Sequence, residues 1–126
     1  MIAEGLTHTS RLTVTEHDTA IALGSGDMPV LATPRMTALM ENAAMLAVAG
    51  ELGEGSTTVG GHLDVSHVRP TPVGADVEAT AVLEKTEGRK LSFRVVATQN
   101  GEIIGEGTHL RFIVDRERFL SRVYQQ

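Results

Sequence analysis

An α+β domain, one long apolar helix wrapped by a curved antiparallel β-sheet, is the architecture predicted for this chain. Two patterns predict it. Between Pro34 and Gly50 only Arg35 and Glu41 carry charge, while Met36, Leu39, Met40, Ala43, Ala44 and Ala47 recur at helical spacing. A helix apolar over most of its circumference is expected to be wrapped rather than laid on a surface. From Thr57 onward, four successive runs alternate apolar and polar residues, as strands with one buried face do.

Thr7 to Val14 and Thr19 to Leu23 read as two short strands around an acidic turn, Glu16-His17-Asp18. Gly24 to Leu31 is a connection broken by two glycines and a proline. Thr33 then suits an N-cap and Pro34 the first helical position, with Gly50 and Gly53 as stop signals. Residues 34 to 50 make a helix about 25 Å long at roughly 1.5 Å per residue. Thr57 to Val68 is the first long strand, ended by Arg69-Pro70. Within it Leu63, Val65 and His67 share one face, and His62, Asp64 and Ser66 the other. Asp76 to Lys85 turns Val77, Ala79, Ala81 and Leu83 to one side. After a turn at Glu87-Gly88, Lys90 to Thr98 does the same with Leu91, Phe93, Val95 and Ala97. Asn100-Gly101 is a strong hairpin signal and leads into Glu102 to Val114, where Ile104, Leu110, Phe112 and Val114 share a parity. Asp115 to Gln126 forms a short terminal helix. A curved antiparallel sheet around one central helix is the hotdog arrangement, here expected as a single domain over residues 1–126.

Composition narrows the partners. The chain is 41% hydrophobic and 21% charged with a formal charge of −5, ordinary for a globular protein and unlike the basic stripe of a nucleic-acid binder. Three Phe, one Tyr and no Trp leave few platforms for stacking bases. No apolar run reaches the roughly 20 residues that span a bilayer. The start MIAEGLTHTSRL has no basic segment followed by an apolar one, so no signal peptide is expected. With no cysteine there is neither a disulfide framework nor thiolate chemistry, and a cytoplasmic setting fits. His62, Asp64 and His109 match no standard metal spacing, so no metal is expected. Nucleotide-loop and hydrolase-elbow motifs are absent, and Gly24-Ser25-Gly26 and Gly60-Gly61 read as turns or bulges rather than phosphate cradles.

Three residues could carry chemistry. Glu41 is either part of a solvated stripe or a carboxylate in an apolar pocket, where it would serve as general base or nucleophile. His67 lies on an apolar face, which suits a packed histidine bonded to a neighbour; its place at a strand end equally suits a site. Thr33 is sufficiently explained as a cap, yet a helix N-terminus also favours a developing oxyanion. Thr33 and Glu41 are eight residues apart, about 12 Å along a helix axis. They therefore either both face a substrate lying along the helix or combine across two subunits.

The segments ATPRMTALMENAAM, VSHVRPTPVGADV, EGRKLSFRV and GEGTHLRF, taken in this order, resemble the fluoroacetyl-CoA thioesterase-like branch of the hotdog acyl-CoA thioesterases. The resemblance covers roughly residues 30 to 115. It implies hydrolysis of a small acyl-CoA by a homodimer with sites along the subunit interface, and no cofactor beyond the coenzyme A of the substrate. It places the catalytic residues at Thr33, Glu41 and His67, and a thioester-holding backbone N–H at Gly60. Arg69, Arg89, Lys90 and Arg111 are candidates for the phosphates of coenzyme A. The fluoroacetyl-specific enzyme has a phenylalanine in the segment before the helix. This chain reads GDMPVLAT there, with Phe only at 93, 112 and 119, so a broader or different small acyl group fits as well. The rival readings are a non-catalytic acyl-CoA binder and an acyl-carrier-protein thioesterase, the second disfavoured by the acidic charge.

Overall fold

The computed structural model describes residues 2–124. Strand β1 (Thr7–Thr13) leads through a 3-10 turn (Glu16–Asp18) and a short helix α1 (Ala20–Leu23) to the long helix α2 (Thr33–Ala49). Four strands follow: β2 (Ser56–His67), β3 (Asp76–Glu87), β4 (Lys90–Gln99) and β5 (Glu102–Asp115). Helix α3 (Arg116–Tyr124) comes last. All strands pair antiparallel in one sheet of order β1-β3-β4-β5-β2. The expected helix-in-sheet architecture is present, and the expected terminal helix forms over its described part, with residues 125 and 126 outside the described residues.

Of Thr19 to Leu23, expected as a strand, Ala20–Leu23 is helical and the extended Thr19 is its N-cap. The Thr19 hydroxyl accepts the Ala22 N–H at 3.2 Å, and Gly24 takes φ +75° to close the turn. Capping at both ends thus overrides the β-branched composition of so short a run. Only a single bridge, Thr19 to Leu31, retains strand character.

The core lies between α2 and the inner face of the sheet. Met36, Leu39, Met40, Ala43, Ala44 and Val48 of the helix are buried against Val77, Ala79, Ala81 and Leu83 of β3 and Leu91, Phe93, Val95 and Ala97 of β4. Wrapping is incomplete, however: Ala38, Leu46 and Ala49 face outward along the side of α2 away from the core.

Strand β5 departs from the expected parity. Its pairing with β4 shifts between Ala97↔Gly105 and Thr98↔Ile103, leaving Ile104 as a bulged residue. Ile104 stays in the core, and beyond it the alternation is inverted. The inner face then carries Gly105, Gly107, His109 and Arg111, paired with Ala97, Val95, Phe93 and Leu91. Leu110, Phe112 and Val114 are only partly buried on the other face. The two glycines make room: a Cβ on Gly105 would come within 2.6 Å of the Met36 sulphur, and one on Gly107 within 2.0 Å of the Asp64 carbonyl.

Candidate active site

A second bulge builds the site. Gly60 and His67 are seven residues apart, an odd spacing that a regular strand would send to opposite faces. The β2–β5 register shifts between Gly60↔Arg111 and His62↔Leu110, so Gly61 is the extra residue. Beyond it Leu63, Val65 and His67 pair with His109, Gly107 and Gly105, all on the inner face. Thr58, Gly60 and His67 therefore look toward α2 together. Glycine at the bulge leaves room for the Phe112 ring, which a Cβ on Gly61, 2.3 Å away, would displace.

Thr33 begins α2, but it is not the cap. Ala32 holds that position with no side-chain hydrogen bond. Backbone bonds anchor the entry instead, Ala32 N–H to Asp18 O and Leu31 N–H to Thr71 O, each 2.9 Å. Asp18 reinforces it by accepting from the Thr15 amide and hydroxyl and from Arg35 Nε at 3.0 Å. Burial opposes its charge, yet these donors win and hold its carboxyl below the usual range. The freed Thr33 hydroxyl lies 2.7 Å from His67 Nδ1.

His67 is half-buried, and desolvation holds its pKa below 6.5 against the opposing influence of the Arg69 backbone. With its proton on Nε2, a neutral ring accepts the Thr33 O–H at Nδ1, the geometry of a hydroxyl beside its base. Its Nε2 is buried without a hydrogen-bond partner among the described residues. Both side chains border an open pocket of about 370 Å³ lined by the segment containing Met28 on one side and by Val68, Arg69 and Pro70 on the other.

Glu41 stands in a separate cluster. Its Oε2 is 3.9 Å from Arg111 Nη1. Gly60 sits so close that a Cβ there would come within 2.9 Å of the same oxygen. Arg111, expected to reach a coenzyme A phosphate, is buried. Its Nε and Nη2 donate to Thr58 Oγ1 and O at 2.8 and 2.9 Å. The bulge at Ile104 causes this by turning Arg111 inward.

His109 completes the arrangement. Its Nδ1 lies 2.7 Å from the His62 carbonyl, which can only accept, so the proton is on Nδ1 and Nε2 is free to accept from Arg111 Nη1 at 3.2 Å. Desolvation, the largest influence, keeps this ring below its ordinary pKa. Sequence reasoning weighed His109 only as a metal ligand and as sharing a strand face with Arg111 in GEGTHLRF, and gave it no place in the site.

The structure thus joins Thr33 to His67, and Glu41 to Gly60, Arg111 and His109. It does not bring the two groups together within one chain. Arg69 is at the pocket rim, bonded to Glu102. The described residues contain no group of His, Asp and Glu able to hold a metal, and no described helix is long and apolar enough to cross a membrane.

Residues 14–117 match the model of the fluoroacetyl-CoA-specific thioesterase family. The chain belongs to that family. The fluoroacetyl-CoA thioesterase of Streptantibioticus cattleyicolor is 41% identical over 97 residues, 77% of this chain and 70% of that protein. A solved structure of the fluoroacetyl-CoA thioesterase FlK superposes with a TM-score of 0.93 at 35% identity, covering 100% of this chain and 98% of that one. A Thermus thermophilus member of the thioesterase superfamily matches at 0.91 with 28% identity, over 99% and 93% of the two chains. A hotdog-like protein from Thermanaerovibrio acidaminovorans, 21% identical with a TM-score of 0.88 over 98% and 92%, shares the fold. The family's other solved forms include complexes with fluoroacetate, with acetyl-CoA, and with fluoroacetate and CoA together.

Proposed function

We propose that this chain is an acyl-CoA thioesterase that splits a small acyl-CoA into free acid and coenzyme A. The observation that carries the reading is the 2.7 Å contact between the Thr33 hydroxyl and a neutral His67 at the mouth of a pocket. If Glu41 attacks the thioester carbonyl, C–S cleavage leaves an acyl-Glu41 anhydride and a thiolate, and water then hydrolyses the anhydride to free acid and carboxylate; if Glu41 is the base, it takes a proton from the attacking water and the tetrahedral intermediate expels the thiolate. In either case the proton released from water passes through neutral His67 to the departing thiolate. Thr33 and the Gly60 N–H orient and polarise the carbonyl, each oxyanion donor contributing about 10²–10³ in rate. Arg111 holds Glu41 in place, and Arg69 guards the rim.

None of the three phenylalanines borders the pocket: Phe93 is in the core, Phe112 covers Gly61, and Phe119 is on α3. Met28 occupies the segment before α2, which favours a small acyl group without strict selection for fluorine.

Two features support a homodimer. β2 is an edge strand of twelve residues, and the outward face of α2 carries apolar residues that no described residue covers. Joining sheets through β2 would cover both and offer a way to bring Glu41 of one subunit to the Thr33–His67 pair of the other. Analytical ultracentrifugation tests this, a monomer at assay concentration being the contrary result.

Thiol release from a panel of acyl-CoAs running from acetyl to phenylacetyl and including fluoroacetyl, with wild type beside Glu41→Gln, tests the activity. Turnover that collapses in the variant supports it; inert wild type that still binds the thioesters points to a sensor or scavenger.

A further inference from the structure

A second pocket, of about 380 Å³, opens where α3 folds back on the ends of β2 and β5. Three arginines converge on it. Arg118 and Arg122 are four apart on α3 and so share one helix face, and Arg89 comes from the β3–β4 turn, whose carbonyl accepts the Ile113 N–H at 2.9 Å. Among the described residues the only carboxylate in the lining is Asp115, and its Oδ1 accepts the Arg118 backbone N–H at 2.9 Å. None of the three guanidinium groups has an ion-pair partner among the described residues. Arg11, Arg35, Arg69, Arg94 and Arg111, by contrast, each face a carboxylate. On a chain with a net charge of −5, an unneutralised trio is a place built for an anion.

The pocket is also placed toward Glu41. Its floor includes Ile113, two residues beyond Arg111 on the same face of β5, and Ser56, four residues before Gly60 on β2. Four residues of strand span about 13 Å, a distance that an extended pantetheine arm can bridge. Phe119 in the lining presents an apolar ring to a base.

We infer that Arg89, Arg118 and Arg122 bind the phosphates of the nucleotide end of coenzyme A, with the adenine against Phe119. The assignment rests on the thioesterase reading above. It moves phosphate recognition from the buried Arg111 and the paired Arg69 to a site of which the sequence suggested only Arg89.

Two measurements keep the two readings apart. The first compares kcat/KM for an acyl-CoA with that for the same acyl group on pantetheine, in wild type, Arg118→Gln/Arg122→Gln and Arg89→Gln. The CoA preference should fall at least about tenfold per lost charge-assisted contact and shrink with added salt; an unaltered preference overturns the inference while leaving the thioesterase intact. The second titrates adenosine 3′,5′-bisphosphate by calorimetry, which needs no turnover. Saturable binding weakened in both variants supports the site, and wild-type binding that is absent or unchanged in the variants overturns it. A protein that hydrolyses neither ester yet binds the bisphosphate would sink only the thioesterase reading. Arg89 lies on a different element from α3, so a local disturbance of that helix cannot imitate both results.

Discussion

The Thr33 hydroxyl lies 2.7 Å from His67 Nδ1, across 34 residues of chain, and this contact replaces the cap that threonine usually supplies at the head of a helix. Because the cap at Ala32 makes no side-chain bond, Thr33→Ala removes chemistry and little else. Stability should change by no more than about 0.5 kcal/mol, against the roughly 1 kcal/mol that losing a true cap costs. Thiol release should fall about 10²-fold or more, with partial recovery in Thr33→Ser. Thermal unfolding and steady-state assays on the same preparations separate the two effects.

Burial depresses the pKa of both His67 and His109 below 6.5, and the sign of the consequence is determined. Between the folded value and 6.5 the unfolded chain binds more protons, so protonation favours unfolding. Stability should hold above pH 6.5 and fall as the pH drops through and below it. The carboxyl of Asp18, depressed from 3.8, adds its own loss only in more acidic solution. Melting temperatures measured from pH 8 to 2 should show the two windows, with the upper one reduced in His109→Gln. Activity relying on neutral His67 should likewise lose its acid limb at a pH below 6.5.

Gly60 gives Glu41 its room. A methyl group there would meet Glu41 Oε2 at 2.9 Å and His109 Cε1 at 3.2 Å. Gly60→Ala should move the carboxylate and lower kcat/KM about 10²-fold, the loss that a 1 Å misplacement can cause. Its secondary structure by circular dichroism should stay native. Equal activity would mean that the carboxylate position is unimportant.

Arg111 joins both faces of its cluster, so its removal leaves Thr58 O, His109 Nε2 and Glu41 short of a donor or counter-charge. Arg111→Met should cost about 2–4 kcal/mol, since each unsatisfied buried group costs about 1–3 kcal/mol. Arg111→Lys should recover only part, because an ammonium cannot serve Thr58 through two nitrogens. Urea unfolding gives the values.

Patterns of short period were legible in the chain alone. The helical spacing of Met36, Leu39, Met40, Ala43 and Ala44 and the alternation in β3 and β4 return as the buried faces they implied. The Asn100-Gly101 turn also lies where the dipeptide placed it, both residues at positive φ. These features depend on neighbours within a few positions, and periodicity records them. Thr33, Glu41, His67 and Gly60 could be singled out by residue type, spacing and family resemblance.

Tertiary structure decided the rest. Single-residue bulges at Gly61 and Ile104 invert parity, and a bulge is defined by register against another strand. Those two bulges bring Gly60 and His67 to one face and turn His109 and Arg111 inward, away from the phosphate role expected of Arg111. Whether Thr33 caps or meets a base depended on a histidine 34 residues away. Ala20–Leu23 became helix because caps at both ends outweighed its local composition. Sequence thus determined which faces are apolar and which residue types are available. Only the pairing of distant strands, whose hydrogen bonds leave no periodic trace along one segment, determined which of those residues meet.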